Sequence, residues 1–399
     1  MATPSPTSNA GPESGASDAA PVGKKPTDAV EAGISSGTGL RAVAPAPPGT
    51  SASGAASGAA RPAAPDPMKV AIPLLREFKK NPTAWQLPAE LADKLKAHRN
   101  ELFEAVEALR VRGYSIEFHP YFGFRLGDLP DQYVAEEIQD DLNTRNLGKT
   151  VLTFESIGST CDMAWELAEK SPDHPDTDGA VVVADTQTRG RVKLGHHWFS
   201  PKGKGVYLAV LLRPDHVPVT TDTLAYYAVA AALSVAHTLT DIVHIPAQIR
   251  WPNDVFVGAR KIASVTGETR PELPGAIVVG FGINTDLMTG DLPPELRDRA
   301  TSIRMEAATR FNHNRLVRYL LFYFDGLYQK LRRKRMRPVA AGLKEYSALT
   351  RQEVLVTDTA GEHRGKVKDI EPTRLILTAS DGKDLTIHHS DVRELRIIH

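Results

Sequence analysis

In the stretch RWPNDVFVGARKIASV, Asn253 and Asp254 close an apolar run, and Lys261 opens the next run seven residues after the aspartate. An amide, a carboxylate and an ammonium set so close together either decorate a solvated turn or form the polar end of a binding site. Three further stretches concentrate residues of this kind. In ESIGSTCDMAWELAE, Ser159 and Thr160 lead into a helix with Asp162 three residues after Ser159. That spacing reads as a capping box, while a helix N-terminus equally offers N–H donors to a ligand. In DTQTRGRVKLGHHWFSPKGKGVYLAV, Arg189, Arg191, Lys193 and Trp198 share a short glycine-rich span. Glycines admit a close backbone approach, the cations suit phosphate, and the indole offers a base a stacking face. The alternative for this span is a mobile basic surface loop. In VVGFGINTD a strand ends in Gly280, Phe281, Gly282 and Asn284, and no helix comes after it, so it is no dinucleotide fingerprint.

The order of elements around these stretches sets their context. Residues 1–67 are low-complexity: 51 of the 67 are Ala, Pro, Gly, Ser or Thr and none is aromatic. Such a segment buries too little apolar surface to offset its ordering entropy, so a disordered tail is predicted. Residues 68–130 read as three helices and a hairpin turning near Pro120, the outline of a winged helix-turn-helix, with an unrelated three-helix module as the alternative. Residues 131–150 read as a helical connector. Strands and helices then alternate to residue 338, giving a mixed α/β or α+β domain. After Pro338 come a short helix and about five short strands, which predict a small barrel over 339–399.

Taken in order, the four stretches resemble the biotin protein ligases. The pattern is Ser-Thr before a helix, a Gly-Arg loop ending in Trp-Phe-Ser-Pro, Trp-Pro-Asn-Asp with its lysine, then Gly-x-Gly-x-Asn. The resemblance covers residues 68–399 and matches the bifunctional type. It implies an α+β fold: an N-terminal winged helix, a central mixed β-sheet of the class II aminoacyl-tRNA synthetase and biotin ligase type over 131–338, and a C-terminal SH3-like barrel. It also implies that biotin and ATP form biotinyl-AMP and pyrophosphate, and that a carrier lysine then takes the biotinyl group. Lys261, Arg191 and Asp254 match catalytic positions. Ser159, Thr160, Cys161 and Gln187 match the biotin ring site, with Ser264 beside it. Gly190, Arg191, Val192 and Lys193 match the loop that closes over biotin and phosphate, and Lys261 bridges the two. Lys193, Asn253, Asp254, Trp198, Tyr207 and Asn284 match the ATP side. Mg²⁺ is implied by the chemistry, and the implied partner is a biotin carboxyl carrier protein of acetyl-CoA carboxylase or another carboxylase. Three departures stand out: Gly-Arg-Val-Lys replaces a Gly-Arg-Gly-Arg loop, Cys161 stands where asparagine is common, and Ser264 where glycine is common.

Two other readings compete. A lipoate or octanoyl transferase would share the sheet and the lysine, but would not be expected to combine WFSP with WPND. A biotinyl-AMP-responsive repressor would bind DNA through the helix from Arg99 to Arg112, whose Glu101, Glu104 and Glu107 balance Arg99, Arg110 and Arg112. Helices that dock in a major groove bring excess positive charge. Lys plus Arg and Asp plus Glu are both 48, so no overall field favours nucleic acid or anionic membrane. Cys161 is the only cysteine, which excludes an intramolecular disulfide and points to a reducing compartment. No apolar run of about 18 residues and no signal peptide are read, so a cytoplasmic location is predicted. His196-His197 and His388-His389 are adjacent pairs, not spaced along one helix face, so no zinc site is predicted. A homodimer stays open.

Overall fold

The computed structural model describes residues 66–171, 177–191, 197–214 and 219–398; the predicted tail lies almost wholly outside them. Helices α1 (Met68–Lys80), α2 (Pro88–Leu95) and α3 (Arg99–Val111) precede a hairpin of β1 (Ile116–His119) and β2 (Gly123–Leu126). Leu74, Leu75 and Phe78 of α1 pack on Leu102, Ala105, Val106 and Leu109 of α3, the spacing of one helical face. Helix α1 stops at Lys80 because Pro82 forces extended backbone on Asn81, whose φ is −141°.

The helical connector predicted over 131–150 is corrected. Only α4 (Ala135–Gln139) is helical there. The carboxylate of Asp325 accepts from the backbone N–H groups of Arg145, Asn146 and Leu147 at 2.8, 3.0 and 3.2 Å, bonds that hold this stretch in a turn. Buried Glu137 of α4 receives Lys79 Nζ at 2.7 Å and the Tyr114 hydroxyl at 2.6 Å, which ties the N-terminal helices and hairpin to α4.

The central part runs β3 (Val151–Phe154), α5 (Thr160–Lys170), β4 (Ala180–Ala184), β5 (Gly205–Leu212), α6 (Thr221–His237), β6 (Gln248–Arg250), β7 (Asp254–Val257), β8 (Arg260–Glu268) and β9 (Ile277–Asn284). Helices α7 (Ile303–Ala307), α8 (His313–Arg332) and α9 (Arg337–Tyr346) come next. The seven strands stand in the order β3-β4-β5-β9-β8-β7-β6, antiparallel except for the β3–β4 pair. Strand alternation divides the sheet into two faces. Val206, Leu208 and Val210 of β5 with Val279, Phe281 and Ile283 of β9 face the core shared with α6, α8 and α9. Ala209, Leu211 and Val278 face Ala164, Trp165 and Ala168 of α5.

One expectation about apolar runs is corrected here. Helix α6 and the π turn after it, Thr221–Ile242, form a segment long and apolar enough to cross a membrane, yet its window is 72% buried inside the protein. It is apolar all round because it packs on the sheet and on α8 and α9. The chain ends in five antiparallel strands, β10 (Glu353–Thr357), β11 (Glu362–Ile370), β12 (Arg374–Thr378), β13 (Asp384–His388) and β14 (Glu394–Ile398), ordered β13-β12-β11-β10-β14.

Asp185, just past β4, is 7% exposed, and burial pushes its carboxyl up to about 6, with His313 and Lys202 pulling it back. The folded state therefore keeps a proton that the unfolded chain has released. This favours folding fully below about pH 4 and is lost as the pH rises through 6. Asp185→Asn is expected to stabilise the protein by about 1–2 kcal/mol at pH 7 and by nothing at pH 4. Thermal unfolding at the two pH values checks this, and an equal gain at both contradicts it.

Candidate functional site

The four stretches converge on the α5 face of the sheet. Gly280, Gly282 and Asn284 lie on this face of β9, opposite the core positions 279, 281 and 283. A Cβ at Gly280 would stand 2.5 Å from Cys161 Sγ and 2.7 Å from Thr266 Oγ1, and one at Gly282 would stand 2.5 Å from Trp198 Nε1. The two glycines therefore make the floor of a small pocket, about 20 Å³, walled by Ser159, Thr160, Gln187 and Arg191. Burial pushes the Cys161 thiol up to about 12, so at neutral pH it is a protonated wall group rather than a nucleophile.

The capping-box reading of Ser159 and Asp162 is corrected. Ser159 is the N-cap of α5, but its side chain makes no cap bond. Gln187 caps instead, its Oε1 accepting from Thr160 N at 2.9 Å and from Thr160 Oγ1 at 3.0 Å. Asp162 takes the Arg191 guanidinium at 2.5 Å, and Glu268 takes it from the other side at 3.2 Å. Glu268 is itself held by the indole N–H of Trp165 at 3.0 Å. Arg191 is thus fastened over the small pocket by the start of α5 and the end of β8.

A larger cavity of about 850 Å³ adjoins the small one, and Trp198 and Ser264 border both. Lys261 and Asp254 stand on its wall, Nζ to Oδ2 at 2.5 Å, each side chain about one-third exposed. Ser264 Oγ donates to the other carboxylate oxygen at 2.7 Å. The strand register explains the pairing: Asp254 lies opposite Ser264, and a bulge at Val255–Phe256 shifts Phe256 to face Lys261. Asn253 donates its amide to the backbone oxygen of Val265, and Asn284 to Thr301 O at 2.9 Å, so both border the cavity with their amides engaged in the fold. The indole N–H of Trp198 is buried and has no hydrogen-bond partner among the described residues. An unmet donor of this kind costs about 1–3 kcal/mol until an acceptor reaches it.

Other residues fare differently. Tyr207 does not border either cavity; it is fully buried, with its hydroxyl on Pro201 O at 3.1 Å, because its strand lies under the loop rather than at the rim. Gly190 is a steric necessity, since a Cβ there would meet Ser200 Oγ at 2.8 Å and Gln187 Nε2 at 2.9 Å. Val192, Lys193 and His196 lie outside the described residues.

The profile of the Biotin/lipoate A/B protein ligase family matches residues 154–284, the span that lines the small pocket and supplies Asp254, Lys261 and part of the large cavity's wall. These residues are a biotin/lipoate ligase domain. The chain is similar to the bifunctional ligase/repressor BirA of Bacillus subtilis (strain 168), with 27% identity over 305 residues, 76% of this chain and 92% of that one. It is also similar to the biotin–[acetyl-CoA-carboxylase] ligase of Mycobacterium tuberculosis (strain ATCC 25618 / H37Rv), 25% identical over 244 residues, 60% of this chain and 88% of that one. In fold it resembles the biotin protein ligase of Aquifex aeolicus solved with biotin and ATP, at a TM-score of 0.54 and 24% identity, covering 63% of this chain and 100% of that one.

Around the ligase domain the structure adds residues that the motifs had not singled out. Arg250 lies 3.8 Å from the centre of the Phe256 ring, and burial lowers its pKa. Both border the large cavity, as do Asp298 and Arg299 from the loop before α7. Thr357, Arg393 and Glu394 reach the same cavity from the C-terminal sheet. A charged residue inside the apolar β6 run was the one signal for Arg250; the others arrive from distant sequence with no local mark.

Proposed function

We propose that the protein is an ATP-dependent biotin protein ligase. The observation that carries this reading is the pair of adjoining pockets, one small and one nucleotide-sized, with Lys261 and Asp254 on the wall beside Ser264, which both pockets share. Biotin would sit over Gly280 and Gly282, its ring polar groups met by Ser159, Thr160 and Gln187; the small pocket has room for about one water as it stands, so its walls must part to admit the ring. ATP would fill the large cavity beside Trp198, Asn253 and Asn284. A biotin carboxylate oxygen attacks the α-phosphorus of ATP, the bond to pyrophosphate breaks, and biotinyl-AMP forms. The Lys261 ammonium offsets the repulsion between carboxylate and phosphate and stabilises the crowded transition state. A carrier lysine amine then attacks the acyl carbon, AMP leaves, the amine loses a proton, and an amide remains. Magnesium would come with ATP and would offset the charge of its phosphates. Asp254, Asp298 and Glu394 border the cavity, and one or two carboxylates with phosphate oxygens form the donor set this ion takes.

We read the N-terminal helices and hairpin as a winged helix, the five C-terminal strands as an SH3-like barrel, and the partner as a biotin carboxyl carrier protein met in the cytoplasm. The ligase reading stands above a purely DNA-binding one because Glu104 and Glu107 are exposed on α3, while Arg110 is spent on Glu107 and on Ile116 O. Incubating the protein with a carrier domain and biotin, with and without ATP, and blotting with avidin tests the proposal. Labelling of one carrier lysine only with ATP is expected, and no labelling contradicts it.

Gly280→Ala gives a sharper check on the pocket assignment. The added methyl exceeds the space between Cys161 and Thr266, so the KM for biotin should rise by about tenfold or more while that for ATP stays unchanged. Equal effects on both substrates would place biotin elsewhere.

A further inference from the structure

Asp222 of α6 meets His388 and His389 at the end of β13, and their ligating atoms all lie within 4.8 Å of one another. The two histidines are adjacent, which would part them on a helix; here the strand ends between them and their rings stand 4.6 Å apart. His388 Nε2 faces Asp222 Oδ1 at 2.8 Å, and its Nδ1 faces Ser390 Oγ at 2.7 Å. Ser390 has one hydroxyl proton, and Asp391 Oδ1 takes it at 2.9 Å. The hydroxyl oxygen is then free to accept from His388 Nδ1–H, which leaves Nε2 facing the Asp222 carboxylate, where a proton or a metal cation joins the two. The Ser390 backbone N–H, 3.4 Å from Nδ1, is the weaker of the two contacts on that nitrogen. An imidazole whose far nitrogen is held by a hydroxyl and a carboxylate behind it is the arrangement that orients metal-binding histidines.

We propose that Asp222, His388 and His389 form a site for a divalent transition-metal cation of the zinc class. Two imidazoles and one carboxylate suit zinc and disfavour magnesium, which takes oxygen donors. Zinc ligand bonds of about 2.0–2.1 Å set tetrahedral ligand atoms about 3.3 Å apart, so the His388–Asp222 pair at 2.8 Å parts slightly while any pair as far apart as 4.8 Å draws in, which Asp222, 62% exposed, supplies by rotation. The fourth position faces solvent and takes water. The site joins α6 to the connection between β13 and β14, and that connection runs into Val392, Arg393 and Glu394, which border the large cavity. A bound cation therefore fixes one wall of the cavity without touching it. The metal site rests on these three residues and not on the ligase reading.

The test uses the full chain without a polyhistidine tag and zinc alone, with affinity read by competition against a chromophoric chelator. One equivalent is expected to bind at micromolar affinity or tighter and to raise the unfolding temperature. Asp222→Asn and His389→Ala should each weaken binding at least about tenfold and abolish the thermal shift. Asp222 is exposed, so its variant keeps the fold even if the histidine variant does not, which unfolding without zinc verifies. Absence of saturable binding, or an Asp222→Asn variant that binds as the parent does, overturns the proposal.

Discussion

Lys261→Ala is expected to slow the formation of biotinyl-AMP by about 10²–10³-fold while leaving the fold in place. The ammonium is the cation on the cavity wall paired with Asp254, and in the proposed reaction it meets two anions that must approach each other. Its contribution to stability is small, because a one-third-exposed pair is worth about 0–1 kcal/mol and Ser264 still holds the carboxylate. The loss should therefore appear in the rate of biotin-dependent pyrophosphate release and hardly in the unfolding temperature. A variant that releases pyrophosphate at the parent rate would remove Lys261 from the chemistry.

Arg191→Ala should let the adenylate escape. The guanidinium is fastened by Asp162 and Glu268 beside the small pocket, so it closes one side of whatever lies over Gly280 and Gly282. Losing a charge-assisted contact costs about 1.5–3 kcal/mol, which corresponds to a release of radiolabelled biotinyl-AMP faster by about 10–100-fold. Labelling of lysines on bystander proteins should rise in parallel. The Gly-Arg-Val-Lys sequence predicts the opposite from Val192→Gly with Lys193→Arg: a more pliant backbone and a forked cation should hold the intermediate longer. Unchanged release from Arg191→Ala would show that the fastened arginine is a structural strut.

Much of this site was legible in the chain because its parts are local. The Trp-Pro-Asn-Asp turn and Lys261 belong to neighbouring strands of one hairpin, so their meeting needs only strand pairing. The alternating glycines of β9 entered only as part of the resemblance; that they floor a pocket follows from period two, which puts 280 and 282 on one face. Where long-range contacts decide, the sequence fell short. Gln187 displaced Ser159 as the cap of α5 because the loop after β4 folds back over the helix start. Asp325 turned a predicted helix into a loop from nearly 180 residues away. Tyr207 matched a pattern position and stands on the site's face opposite Gly282, yet its hydroxyl is taken by Pro201 O under the loop. The cavity wall built by Arg393 and Glu394 depends on how the C-terminal sheet docks, which the donation of Trp251 Nε1 to Glu371 O at 2.8 Å helps to set.

The most direct measurement is ATP–pyrophosphate exchange, run separately with biotin, lipoate and octanoate as the carboxylate. Ser159, Thr160 and Gln187 offer the small pocket's polar groups to a ring that carries its own, and Lys261 stands near the junction with the nucleotide-sized cavity. Labelled ATP is therefore expected only with biotin, at a rate that collapses in Lys261→Ala. Exchange supported by lipoate or octanoate, or by no carboxylate at all, would contradict the biotin ligase reading.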